Sequence, residues 1–152
     1  MTKQLEIAVW YFINELKPDT LKLQNLLYLA QGFSFCMNDE EMFSEQFEAW
    51  PHGPVIPSVY HQYKRYGYNS IDVTFEMGQI SAPQEQVLKQ VMHTYGKYDG
   101  KYLEELTRNQ DPWLFARQEL APDGQIDKII PKEIISDYFI MLMFQPRAEA
   151  WM

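Results

Sequence analysis

The chain has 152 residues, 46% of them hydrophobic and 15% aromatic, which fits one ordinary domain able to build a core without metals or disulfides. Its one cysteine, Cys36, excludes an internal disulfide and fits a reducing compartment. Lys3 and Glu6 interrupt the N-terminus, and no uncharged apolar run approaches the ~20 residues that span a bilayer, so the expectation is a cytoplasmic protein without membrane association. With 13 Lys and Arg against 21 Asp and Glu, the net charge is -8. That balance disfavours nucleic-acid phosphates as partners and favours basic ones; the short basic pair Lys64-Arg65 is too small to reverse it.

Apolar residues Leu5, Val9, Phe12, Ile13 and Leu16 form a stripe of helical period, so Lys3 to Leu16 reads as a helix that Pro18 breaks. Asp19 or Thr20 caps the next helix. Its apolar face is Leu23, Leu26, Leu27, Ala30, Phe33 and Met37, widened by Tyr28 and Leu29, and it is expected to be central and buried on most sides. Asn38-Asp39 ends it. Phe43 to Trp50 reads as extended or loop-like, with Phe47 and Ala49 on one side if it is a strand. Pro51, Gly53, Pro54 and Pro57 are expected to forbid regular hydrogen-bonded structure and to form a rigid turn.

A helix resumes over Ser58 to Tyr66, with Val59, Tyr63 and Tyr66 on one face and Gly67 as its stop. Ile71, Val73 and Phe75 alternate with Asp72 and Thr74, which predicts a short strand, with the stretch near Phe47 as its candidate partner. Ser81 to Gln84 opens a helix in capping-box form, with Val87, Leu88, Val91, Met92 and Tyr95 inside and Gly96 at its end. Tyr102, Leu103 and Leu106 lie on a short helix begun near Asp99. Asp111 caps another, running to Arg117 behind Pro112 and Trp113. Ala121 to Gln125 reads as a loop. Pro131 begins the last helix, with Ile134, Ile135, Tyr138, Phe139 and Leu142 inside. The predicted fold is mostly α (α+β): a compact single domain of six to seven helices with a small antiparallel β-ribbon.

Motifs of nucleophile elbows, phosphate-binding loops, dinucleotide-binding turns and zinc proteases are all missing from the sequence. His52, His61 and His93 are not at ligand spacing on a helix turn. Cys36 lies in an apolar helix, where a thiol behaves as a small hydrophobe. Glu104 and Glu105 are adjacent, so they do not share a site. No catalytic, cofactor-binding or metal-ligating residue is assigned, and the chain is not expected to be an enzyme. Two segments combine a proline turn with a tryptophan: Ala49 to Val55 and Asp111 to Arg117. Tryptophan and arginine on rigid turns dominate protein–protein hot spots, and a tryptophan beside a proline turn is also a common core plug. The candidate partner-binding residues are Trp50, His52, Pro54, Trp113, Phe115 and Arg117.

Leu21 to Gly32 (LKLQNLLYLAQG), Phe47 to Pro57 (FEAWPHGPVIP), and then Val59, Tyr60 and Tyr63 resemble the Panacea domain in order and spacing, as do the later pairs Leu106-Thr107, Pro112-Trp113 and Ala116-Arg117. The last helix, through Tyr138-Phe139, fits the same pattern. This family, also called SocA-like, is carried by many phage-associated proteins. One departure is Asn25, where a lysine is common. The resemblance implies a Panacea-like antitoxin domain over residues 1–143 and a C-terminal tail over 144–152. It implies an antitoxin that neutralises a partner toxin, encoded by the adjacent gene, by direct protein contact. Alternative readings are a DNA-binding or phage and mobile-element regulatory protein, or a protease adaptor that delivers the toxin for degradation. For the tail, Trp151 either folds back over an apolar patch or docks on the partner.

Overall fold

The computed structural model describes residues 1–118 and 128–144. In chain order these form α1 (Lys3–Leu16), α2 (Thr20–Asn38), β1 (Phe47–Trp50), β2 (Gly53–Val55), α3 (Pro57–Tyr63), α4 (Ala82–Tyr95), α5 (Gly100–Arg108), α6 (Asp111–Arg117), β3 (Ile129–Ile130) and α7 (Lys132–Met143). The fold is mostly α with a small antiparallel sheet, as the sequence predicts. The expected loop over Ala121 to Gln125 and the expectations for the tail beyond Phe144 lie outside the described residues.

Helix α2 is the axis of the molecule. Every residue from Leu23 to Ser34 is buried, and α1, α4, α5, α7 and β2 all pack against it. A helix apolar on one stripe needs one neighbour; a helix buried on all sides needs several. Asp19 starts it, accepting a hydrogen bond from the Lys22 N–H at 2.8 Å, and Asp39 ends it in a left-handed conformation. Met37 departs from the expected inner face: it is 43% exposed, because it lies in the last turn, beyond the elements that cover the helix. At Gly32, a β-carbon would lie 2.3 Å from the Phe139 ring of α7. The absent side chain is what lets Phe139 reach Tyr28 and Phe33, with ring centroids at 5.6 and 6.2 Å.

Four buried residues of α2 are polar: Gln24, Asn25, Gln31 and Ser34. Gln24 donates to the Ile56 carbonyl at 3.1 Å and accepts from the Ile56 N–H at 2.9 Å. Gln31 donates to the Phe43 carbonyl at 2.9 Å and accepts from the Met42 N–H at 2.8 Å. Ser34 donates to the Glu40 carbonyl at 2.7 Å. On α1, Asn14 does the same for Phe75, with both bonds at 2.8 Å. Each amide side chain supplies a donor and an acceptor to one stretch of loop backbone, as a neighbouring strand would. Buried backbone groups demand such partners. The connections on either side of β1 and β2 are therefore tied to the central helix by hydrogen bonds as well as by apolar contact.

Several expectations are corrected. The proline-rich stretch does contain regular structure. Gly53–Val55 pairs antiparallel with β1, in the register Glu48↔Val55, Ala49↔Pro54 and Trp50↔Gly53. Alternate pairs of an antiparallel ladder exchange no hydrogen bonds, so Pro54 sits where no N–H is needed. Pro57 opens α3 at its first position, and the helix tightens to a 3₁₀ turn over Lys64–Tyr66. Ile71 to Phe75 alternates in burial as expected but pairs with no strand among the described residues. The partner of Phe47 is instead Ile130 of β3, in a two-residue strand too short to carry a periodic signal. Asp111 is the first residue of α6 rather than its cap; Gln110 takes the cap position. Ser81 accepts from the Gln84 N–H at 3.3 Å, but the Gln84 side chain turns to the Gln4 carbonyl, so only half of the capping box forms.

Candidate functional site

The β1–β2 hairpin turns at Pro51-His52, and Gly53 leaves the turn at φ 122°, a conformation costly for any residue with a β-carbon. Behind it stands α6. The Trp113 indole N–H donates to the Trp50 carbonyl at 2.8 Å, and the Arg117 guanidinium donates to the Ala49 carbonyl at 2.9 Å. Arg108 and Arg117 lie against the Trp113 ring, 5.1 and 5.8 Å from its centroid. The two proline–tryptophan segments, far apart in sequence, thus form one unit in which α6 braces β1. Trp113 and Arg117 are buried. Phe115, one position from Ala116 on the same helix, is 52% exposed and lies outside the unit.

In front of the hairpin is a groove of about 770 Å³, walled by the hairpin, the first turns of α2 and α5, and α3. Trp50, His52 and Pro54 line it, together with Tyr60, Tyr63 and Tyr68. The Trp50 ring packs against Tyr60 with centroids at 4.9 Å, and its indole N–H is held by Glu48 at 2.8 Å. Burial pushes the Tyr63 phenol above its ordinary range. The charged lining residues are Asp19, Asp99 and Glu104 against Lys64 and Lys101. Asp19 and Asp99 cap α2 and α5, accepting from Lys22 and Tyr102 N–H, each at 2.8 Å, so the positive helix ends already face carboxylates. Glu104 holds Arg108 at 3.1 Å and the exposed His52 at 3.4 Å.

Beneath the groove, Thr107 of α5 donates to the Asn25 amide oxygen at 2.6 Å, and Asn25 donates to the Leu21 carbonyl at 2.9 Å. Both side chains are buried. A neutral amide is well matched here, since a buried charge without a counter-ion costs far more. The threonine of the Leu106-Thr107 pair thereby joins α5 to α2 directly under Gly53.

Of the six expected partner-binding residues, three line the groove, two brace it from behind and one stands apart. Sequence reasoning missed Tyr60, Tyr63 and Tyr68 as lining residues; the available signal was four tyrosines between positions 60 and 68. Among the described residues there is no cluster of three metal-ligating side chains, and none of their helices is long and apolar enough to cross a membrane. Burial pushes the Cys36 thiol up to about 11, so it stays protonated at neutral pH and is a poor nucleophile.

The family model described as "Antitoxin SocA-like, Panacea domain" matches residues 23–114. That stretch is more than half of the chain and runs from α2 through the hairpin and groove to Trp113. No curated protein and no solved structure matches the chain. The hairpin, its tryptophan brace and the buried Asn25–Thr107 link all lie within or at the edge of the matched stretch, and the chain belongs to the SocA-like antitoxin family, Panacea domain.

Proposed function

We propose that the protein is the antitoxin half of a toxin–antitoxin pair. In this reading it acts in the cytoplasm, catalyses no reaction, and neutralises a toxin encoded by the adjacent gene by binding it directly. The observation that carries the reading is the family match over residues 23–114, which takes in most of the aromatic groove. Trp50, Tyr60 and Tyr63 are residue types that anchor interfaces, and the groove's charged rim is the kind of surround that excludes water from such anchors. A surface of net charge -8 steers a basic toxin towards it and raises the encounter rate.

The test is co-expression. The adjacent reading frame is expressed alone and with this protein, and growth and co-purification are followed. Growth arrest that this protein relieves, with a stable complex, is the expected result. A neighbour harmless alone, or one that never co-purifies, removes the antitoxin reading. Relief that requires a cellular protease, with the neighbour's product degraded, makes the protein an adaptor. Salt-sensitive binding to its own upstream DNA in a gel shift makes it a DNA-binding regulator instead.

A further inference from the structure

Residues 71–80 run between α3 and α4 without helix, turn or bend, and their burial alternates: Ile71 is buried, Val73, Phe75 and Met77 are half-buried, and Asp72, Thr74 and Glu76 are exposed. This is a strand's pattern without a strand's partner. Along an extended chain, the N–H and C=O of successive residues point to opposite edges. The Ile71 N–H donates to the Pro18 carbonyl at 2.8 Å. The Val73 carbonyl accepts from Lys17. Phe75 exchanges two bonds with Asn14, both at 2.8 Å. All three are odd-numbered residues, and all three are held from α1 and the turn after it. One edge is therefore clamped, and the stacking of Phe75 on Trp10, with centroids 4.8 Å apart and planes 4° apart, fixes the face. The opposite edge presents the backbone groups of Asp72, Thr74 and Glu76, for which no hydrogen bond exists among the described residues.

We propose that this open edge is a docking strand, which takes a β-strand of a partner protein carrying lysine or arginine at the positions facing Asp72 and Glu76. The proposal rests on the protein-binding reading above and names a second surface for it. Strand addition draws affinity from main-chain bonds and specificity from alternate side chains. Natural proteins blunt an exposed edge with proline, charged side chains (lysine above all) or a bulge; residues 71–80 contain neither proline nor lysine, and the charges they do carry are acidic. What the edge does carry is two carboxylates on its solvent face. In the centred antiparallel register, a second copy of the chain would set Asp72 opposite Glu76, and like charges directly opposite are unfavourable. The same two carboxylates favour a basic strand. Self-association is disfavoured and a basic partner is selected by one arrangement.

The full-length protein is titrated with a capped peptide alternating lysine and valine, and amide exchange is followed residue by residue. Exchange at Asp72, Thr74 and Glu76 is expected to slow by about tenfold or more, with little change at Ile71 and Phe75. A peptide with aspartate in place of lysine is expected to leave exchange unchanged. Glu76→Pro removes an N–H from the open edge alone and is expected to abolish the effect. If that variant fails to fold, Asp72→Lys with Glu76→Lys is expected to reverse the preference towards the acidic peptide. The proposal is overturned if the lysine peptide leaves these amides unprotected, if both peptides protect equally, if the proline variant folds and binds as well as the parent, or if the edge joins two copies of the chain in solution. Because the peptide stands in for the toxin, its failure leaves the antitoxin reading intact, and a harmless neighbouring gene product leaves the edge intact.

Discussion

At the scale of single residues, the fold depends on amide side chains that act as surrogate backbone. Gln31 and Asn14 each satisfy an N–H and a C=O of loop backbone, and Gln24 satisfies the Ile56 N–H and shares the Ile56 carbonyl with the first turn of α3. An apolar replacement keeps the volume and orphans whichever of these groups has no other partner. Gln24→Leu therefore leaves the Ile56 N–H unpaired in a buried site, at about 1–3 kcal/mol, while the Ile56 carbonyl keeps its bonds from the Val59 and Tyr60 N–H groups of α3. Urea denaturation of the variant is expected to show a midpoint well below that of the parent with an unchanged slope. A midpoint within error of the parent would mean that water replaces the amide. From sequence, Gln24 and Gln31 look like polar interruptions of an apolar helix, since composition and periodicity record that a residue is polar but not what it meets.

At the scale of elements, α2 carries the molecule. Leu27 is fully buried at the middle of its continuous buried stretch, with neighbours on several sides. Leu27→Ala removes its transfer free energy and leaves a cavity that rigid neighbours cannot fill, so it is expected to cost about 2–5 kcal/mol. A calorimetric shift of a degree or so would contradict the central placement of this helix. The hairpin follows a different logic. Its strands are three and four residues long, and such a ribbon is marginal alone. Its order comes from the α6 brace at Ala49 and Trp50, from Gln24 just beyond β2, and from β3 on the other side of β1. The prolines are compatible with it because one falls at a non-bonded pair and another starts a helix.

At the scale of the whole molecule, the aromatic groove in front of the hairpin and the open edge of residues 71–80 are the two separate surfaces we propose for protein contact. Tyr60 tests the first. It is 39% exposed, rests on Trp50 and holds no buried hydrogen bond among those described. Tyr60→Ala is expected to leave the melting temperature nearly unchanged and to weaken toxin binding by about 2 kcal/mol, as hot-spot residues do. Titration calorimetry with the co-purified toxin reads this directly. Unchanged affinity would move the interface away from the groove. His52, also in the groove, is mostly solvent-exposed and weakly paired with Glu104, and its replacement by alanine is expected to alter neutralisation little.

The helices and most of their caps were legible because they rest on local terms: an apolar period of 3.6, proline and glycine breaks, and aspartate or serine beside the first turn. The family was legible for a related reason, since its residues sit in short runs at fixed spacing. Tertiary structure alone decided which extended segments pair. Phe47 needs a neighbour, and the alternation at Ile71 to Phe75 offers one, yet the pairing goes to Ile129–Ile130. Period two says that a segment has an inside and an outside; it does not say whether a strand or a row of side chains on a helix satisfies its backbone. The same holds for Trp50 and Trp113. Their residue type announces a large buried or binding surface, and only the packing of α6 behind the hairpin makes one a brace and the other the wall of a groove.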